Sequence, residues 1–345
     1  MRALLLALLS AALFGASTPV SKLLLVDLTP PQLAGLLYLG AASGVGIKIL
    51  LNRDGIFGGR IDARNVLRLA GAVLFGGVLG PLFLMKGLRL ASAGSVSLWL
   101  NLEMVATALL GHMFFRDYLG RWGWMGAALI GAASMTLSWG EGSAGWQAGI
   151  FLALACLCWG LDNHWTALID GLSPLQSTFW KGLVAGGTNF GIGLFLERLT
   201  APPESIGLAI VAGALAYGAS ISLYITAAQA LGASRSQMVF ASAPFIGFTL
   251  SWTFLGEPLN ALHGIAAVLQ ILGLISLFRE RHSHHHVHEA MDHAHVHTHD
   301  DGHHDHLHPG TPASLRHSHR HAHKPIAHAH PHWPDLHHRH PHPRT

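Results

Sequence analysis

One carboxylate stands inside an otherwise apolar run: Glu103, in LNLEMVATALLG at residues 100–111. A charge at membrane depth costs roughly 2.5–3.5 kcal/mol on insertion scales, which marks it as functional by default. There it could couple a proton or act as counter-charge to a cationic substrate. The competing reading is a permanent bond to a neighbouring helix. Asp162, Asn163 and His164 form a second polar cluster, after Trp159-Gly160. On a straight helix Asp162 and His164 diverge by about 200°, so they are not expected to ligate one ion together. Either one faces a cavity and the other the cytoplasmic interface, or they snorkel at the inner boundary. Lys86 and Lys181 also fall inside apolar runs. Each could pair with a substrate carboxylate or with Glu103, and interfacial snorkelling is the alternative.

A different chemistry is concentrated at the C-terminus. Of 27 histidines, only His112, His164 and His263 precede His282. The tail begins HSHHHVHEAMDHAHVHTHDDGHHDHLH, and its candidate ligands are His284, His285, His286, His288, His293, His295, His297, His299, His303, His304, His306 and His308. Imidazole suits zinc, copper, nickel and cobalt, and short His-rich tracts read as metal-binding. Binding should weaken below roughly pH 6 as imidazoles protonate. The alternative is a pH-dependent polycation drawn to anionic lipid. The composition predicts disorder. No cofactor is required by any pattern in the chain, so zinc, nickel, cobalt or copper would be tail ligands only.

The elements that position these groups are apolar runs. Half of the 345 residues are hydrophobic and 11% are charged, too few to coat a soluble domain of residues 1–280. Runs of about 20 apolar residues match the roughly 30 Å hydrocarbon core. Ten are expected: 3–25, 30–51, 66–89, 93–115, 121–139, 146–168, 174–196, 205–230, 234–255 and 259–278. The first is read as a true span, with a cleaved signal peptide as the competing reading. Cys156 and Cys158 lie within one run and suggest no disulfide framework. Small pairs at four-residue spacing, Gly40/Gly44, Gly76/Gly80, Gly145/Gly149, Gly182/Gly186 and Gly187/Gly191, predict close helix packing.

The runs repeat. Residues 100–137 and 240–277 share a hydropathy profile at an offset of 140, with Asp117 on Glu257, Phe114 on Phe254 and Leu137 on Leu277. Runs one and two align with six and seven at an offset of 144–145. The copies differ at Glu103 against Ala243 and Met104 against Pro244. The expected fold is all-α and integral to the membrane: ten transmembrane helices as two inverted five-helix repeats, 1–139 and 140–280, followed by a disordered His-rich cytoplasmic tail, 281–345. One set of loops and both termini carry Arg2, Arg53, Arg60, Arg64, Arg116, Arg121, Arg235, Arg279 and Arg281. The opposite loops carry Asp27, Glu141, Glu197, Glu204 and Glu257, with Arg89 and Arg198. Basic loops stay inside, so both termini are expected in the cytoplasm. Asp117 and Glu257 are expected to cap helix N-termini, and His112 and His263 to be structural.

ALFGASTPVSK at 12–22 resembles the first-helix signature of the drug/metabolite transporter superfamily, EamA type. SAPFIGFTLSWTFLGEPL at 242–259 is similar to that family's Pro and Leu-Gly-Glu turn, here Pro244 and Glu257. LEMVATALLGHMFFRD at 102–117 resembles the first-half copy, with Met104 and Asp117 where Pro and Glu are usual. The resemblance covers 1–280 and implies a ten-helix exporter or exchanger of small metabolites with both termini inside. It implies no particular substrate.

The expected function is therefore a secondary transporter that exports a small metabolite or amino-acid-like solute by alternating access, not an enzyme. The alternative is an exporter of divalent nickel, cobalt or zinc, with the tail as collector or sensor. A third reading is a non-transporting metal sensor whose helices only anchor the tail. Expected partners are the bilayer of the plasma (bacterial inner) membrane and a small-molecule or metal-ion substrate. A homodimer is left open, and nucleic acid is not expected.

Overall fold

Each of the ten apolar runs is helical in the computed structural model. It describes residues 2–51, 55, 62–114, 119–169, 172–231 and 233–279, with side chains outside residues 2 and 228–236, and the backbone of four tail segments. The helices are α1 (Arg2–Gly15 and Ser17–Leu24), α2 (Pro30–Leu51), α3 (Ala63–Leu90), α4 (Ala93–Trp99 and Leu102–Phe114) and α5 (Arg121–Gly140). The second set is α6 (Gly142–Thr166), α7 (Pro174–Leu196), α8 (Pro203–Leu231), α9 (Ala233–Phe240 and Ala243–Leu255) and α10 (Ala261–Arg279). Eight of these are long and apolar enough to cross a membrane. The other two, α5 and α7, have 20 and 23 residues.

The surface is apolar and part of the interior is polar. Leu5, Ile47, Ile150, Phe195 and Ile271 are exposed, whereas Ser10, Gln32, Asn101, Asn189 and Gln270 are buried. That inversion suits a lipid surround, where helices associate through close backbone contact and interhelical hydrogen bonds. A Cβ on Gly40 or Gly213 would strike the facing carbonyl, of Ile210 and Leu37 respectively, and Gly182 and Gly186 seat α7 against α2. Gly187 and Gly191, expected to pack likewise, face open space.

The packing follows the duplication. Helix α3 packs on α6 as α8 packs on α1, α4 packs on α6 as α9 packs on α1, and α3 meets α7 as α8 meets α2. The pairs α2–α7 and α5–α10 are their own equivalents. The two repeats thus interlock about a pseudo-two-fold axis, and five helices per repeat invert one relative to the other.

The helices are interrupted or distorted at matching places in the two repeats. Helix α4 breaks at Leu100–Asn101 and α9 at Ala241–Ser242. Each third helix contains a π-helical stretch, Val73–Leu79 in α3 and Ala214–Ala219 in α8. Such bulges cluster at functional sites. Gly256 ends α9 at φ +65, a left-handed conformation that favours glycine, which accounts for the glycine of the Gly-Glu-Pro turn. In the tail, backbone pairing runs antiparallel between Ser283–His288 and Ile326–Pro331 and between Met291–His297 and His317–His323.

Candidate functional site

The site is organised by the bulge in α3. Within it the Gly80 N–H reaches back to the Phe75 carbonyl, five residues away. In that register the Gly76 carbonyl would accept from residue 81, which is Pro81 and has no N–H. Two side chains supply the missing donors: Tyr38 Oη at 2.8 Å and Trp159 Nε1 at 3.1 Å. Asn189 Nδ2 donates to the next carbonyl, Gly77, at 3.0 Å. A buried unmet carbonyl in lipid would cost several kcal/mol, so these three donors from α2, α6 and α7 fix the bulge.

Glycine at position 76 also lets Asp162 approach, since a Cβ there would overlap the carboxylate. Asp162 is buried, pairs with Lys181 Nζ at 2.7 Å and accepts from Thr166 Oγ1 at 2.8 Å. Lys181 therefore pairs with Asp162, not with Glu103. The neighbouring Asn163 donates through Nδ2 to Glu103 Oε1 at 3.0 Å and to Thr107 Oγ1 at 3.1 Å. His164 is buried against the Thr107 carbonyl at 3.0 Å. Asp162 and His164 have separate partners, as their spacing predicts.

Asn163 is exposed, and its position says to what. The exposed apolar stripe of α6 is Ile150, Leu154 and Leu157. At 100° per residue, Asn163 lies roughly 120–180° around the helix from that stripe. Its exposed edge therefore faces inward, toward α4, and Glu103 beside it is only partly buried. The Glu103–Asn163–Thr107 group therefore lies on the bundle side of α6, between α4 and α6.

Helix α4 is held open at its break just before Glu103. Asn101 Nδ2 donates to Gln270 Oε1 at 2.8 Å, and Gln270 Nε2 donates to the Leu98 carbonyl at 2.7 Å. The break separates Trp99 from the site: its indole N–H bonds the Ser134 carbonyl, and the ring is fully buried. Lys86 is also elsewhere, exposed on α3 with Nζ 5.8 Å from the Phe151 ring centroid. Hydropathy placed it in a run without saying which face it occupied.

Across the pseudo-two-fold axis the equivalent helices present aromatic groups instead. Phe14 of α1 packs edge-on to Tyr217 of α8 at 5.7 Å and against Phe240 of α9 at 5.3 Å. Tyr38 of α2 joins them, its ring 5.8 Å from Tyr217. Tyr38 thus touches both halves, and it lies within electrostatic reach of Glu103 and Asp162. Sequence reasoning missed Tyr38, Asn189, Gln270 and this cluster. The Gly-Gly-Val-Leu-Gly-Pro run at 76–81 was the available signal.

One end of the bundle is cross-tied by hydrogen bonds between helices. Glu257 accepts from the Ala93 and Gly94 N–H groups at 2.7 and 2.8 Å, capping α4 of the other repeat. Glu141 accepts from the Ser92 and Ser95 hydroxyls, and His263 Nε2 is 3.1 Å from Ser95 Oγ. Lys22 Nζ donates to the Leu88 and Ala91 carbonyls. Glu257 and His263 are thus structural, and His112 stacks edge-on with Trp124. Asp117 lies outside the described residues, as do His299, His303, His304, His306 and His308. His284, His285, His286, His288, His293, His295 and His297 are described as backbone only. Among the described residues, no group of three His, Cys, Asp or Glu could hold a metal ion.

The model of the EamA-like transporter family matches residues 1–139 and 146–279. The chain belongs to the EamA-like transporter family. Its match divides at the boundary between the two five-helix units. Among curated relatives of this EamA-like chain, an uncharacterized transporter of Methanothermobacter thermautotrophicus is 27% identical over 289 residues, covering 77% of this chain and 82% of the relative. An uncharacterized transporter of Synechocystis sp. is 26% identical over 300 residues, covering 76% and 86%. A solved structure at 16% identity superposes with a TM-score of 0.60 over 81% of this chain and 99% of its own, which bears on the fold alone.

Proposed function

We propose that this EamA-like transporter exports a small metabolite or amino-acid-like solute by alternating access, and that the solute sits beside Glu103, Asn163, Asp162 and Lys181. The observation that carries this is the exposed Asn163, bonded to Glu103 on the inward side of α6. A half-buried carboxylate held by one described hydrogen bond inside an apolar bundle is costly, and a purely structural role would be better served by a fully bonded group. The end tied by Glu257, Glu141, His263 and Lys22 is the outer end by the positive-inside rule, so this state is read as loading from the cytoplasm. Both termini and the tail are then cytoplasmic, in the plasma membrane. The test is uptake into inside-out vesicles, screened across metabolites, with Glu103→Gln beside the parent protein. A Glu103-dependent solute supports the reading, and transport indifferent to Glu103 overturns it.

The metal-exporter alternative has no ligand cluster behind it among the described membrane residues. For the tail, the proposal is narrower: it binds zinc, nickel, cobalt or copper as a cytosolic buffer or regulator. Stopping the chain after Arg281 should abolish metal binding while leaving solute transport active.

A further inference from the structure

We infer that the solute is an amphiphilic monocation, a protonated amine on an aromatic or bulky apolar body, held between an acidic half-site and its aromatic counterpart across the pseudo-two-fold axis. This rests on the reading that solute binds beside Glu103.

The acidic half-site is short of positive charge. The acidic half-site holds two carboxylates, Glu103 and Asp162, and one ammonium, Lys181. Lys181 is ion-paired to Asp162 at 2.7 Å. Glu103 has no cation within bonding distance among the described residues, and its described hydrogen bond is the single one from Asn163. With both carboxylates ionised the half-site carries one uncompensated negative charge.

Hydrogen-bond capacity points the same way. The Asn163 amide N–H groups serve Glu103 and Thr107, Tyr38 and Trp159 both serve the Gly76 carbonyl, and Thr166 serves Asp162. Acceptor capacity remains open on Glu103, beside the two Lys181 N–H groups that no described acceptor takes. Glu103 Oε2 has no described donor, and Asn189, fully buried, has an Oδ1 with no partner. A ligand that brings N–H donors and positive charge satisfies the open carboxylate oxygen and the missing charge together. A carboxylate-bearing zwitterion would have to share Lys181 with Asp162, its partner at 2.7 Å.

The aromatic half-site supplies the other end. Phe14, Tyr38, Tyr217 and Phe240 are partly buried and mutually packed, and Tyr38 links them to the bulge on which Asp162 rests. Ring faces there would take an aromatic body and add cation–π attraction to the ammonium.

The test is a charge series on one ring system: 2-phenylethylamine, phenylalanine and 3-phenylpropionate, titrated calorimetrically into the full-length protein in detergent. The amine should bind in preference to the other two. Glu103→Gln, checked for an unchanged melting curve, should bind it at least about 30-fold more weakly, the scale of losing a desolvated charge partner. Tyr217→Leu should weaken it about 3- to 10-fold. Tighter, Glu103-dependent binding of phenylalanine or phenylpropionate would overturn the monocation and leave the site reading standing. Amine binding unchanged in Glu103→Gln would overturn both, and no binding of any of the three would overturn the monocation.

Discussion

The two repeats carry the same bends and opposite chemistry. In the first, Pro81 follows the α3 bulge and leaves the Gly76 carbonyl without a backbone donor, so Tyr38 and Trp159 must provide one. In the second, the corresponding residue is Ile221, which keeps its N–H, and no described side chain donates to the Ala216 carbonyl. The break in α4 is bridged by Asn101 and Gln270, whereas the break in α9 has Ala241 and is followed by Pro244. In the repeat alignment Glu103 corresponds to Ala243 and Trp159 to Phe14. Duplication supplies a bend at each place; substitution on one side then fills it with donors and charge, and on the other with rings.

Variants that unbalance the halves test that contrast. The largest effect should come from Lys181→Met, which strands Asp162 as a buried charge and costs about 3–5 kcal/mol. Unfolding in detergent measures it, and adding Asp162→Asn should return much of the loss. If Lys181→Met alone is neutral, the pair does not hold the acidic half together. Gly76→Ala forces a Cβ onto the Asp162 carboxylate, costing about 1–3 kcal/mol and displacing Asp162. The matching Ala216→Ser should shift the melting temperature far less, and equal losses would erase the asymmetry. Gln270→Leu strips the Asn101 side chain and the Leu98 carbonyl of their partner, for about 1–3 kcal/mol. Smallest is Glu257→Gln, which weakens the cap on α4 by about 0.5–2 kcal/mol. Ligand affinity at the distant site should then stay near that of the parent protein, and a lost affinity would tie the capped end to the binding site.

Much of the plan could be read from residue types alone. Ten apolar runs, the 140-residue offset and the Gly-Glu-Pro turn led to the repeat, and Glu103 and Asn163 stood out because polar groups at membrane depth are costly. What stayed hidden is long-range. Glu257 was expected to cap a helix, but the helix it caps begins 164 residues earlier, and linear spacing carries no such distance. Tyr38 reads as an ordinary aromatic in an apolar run until Pro81 is seen to free a carbonyl on another helix. Lys86 and Lys181 are alike in sequence context, and only packing sends one to the surface and the other to Asp162. Helices that are apolar all round give no amphipathic stripe from which to read a face.

Solute binding beside Glu103 requires Asn163 to open into the bundle rather than onto lipid. With Cys156 and Cys158 replaced by alanine, Asn163→Cys and Leu157→Cys can each be exposed to a membrane-impermeant thiol reagent from the side that bears the tail. The account predicts rapid labelling at 163 and none at 157. Equal labelling at both positions, or labelling at 157 alone, would contradict it.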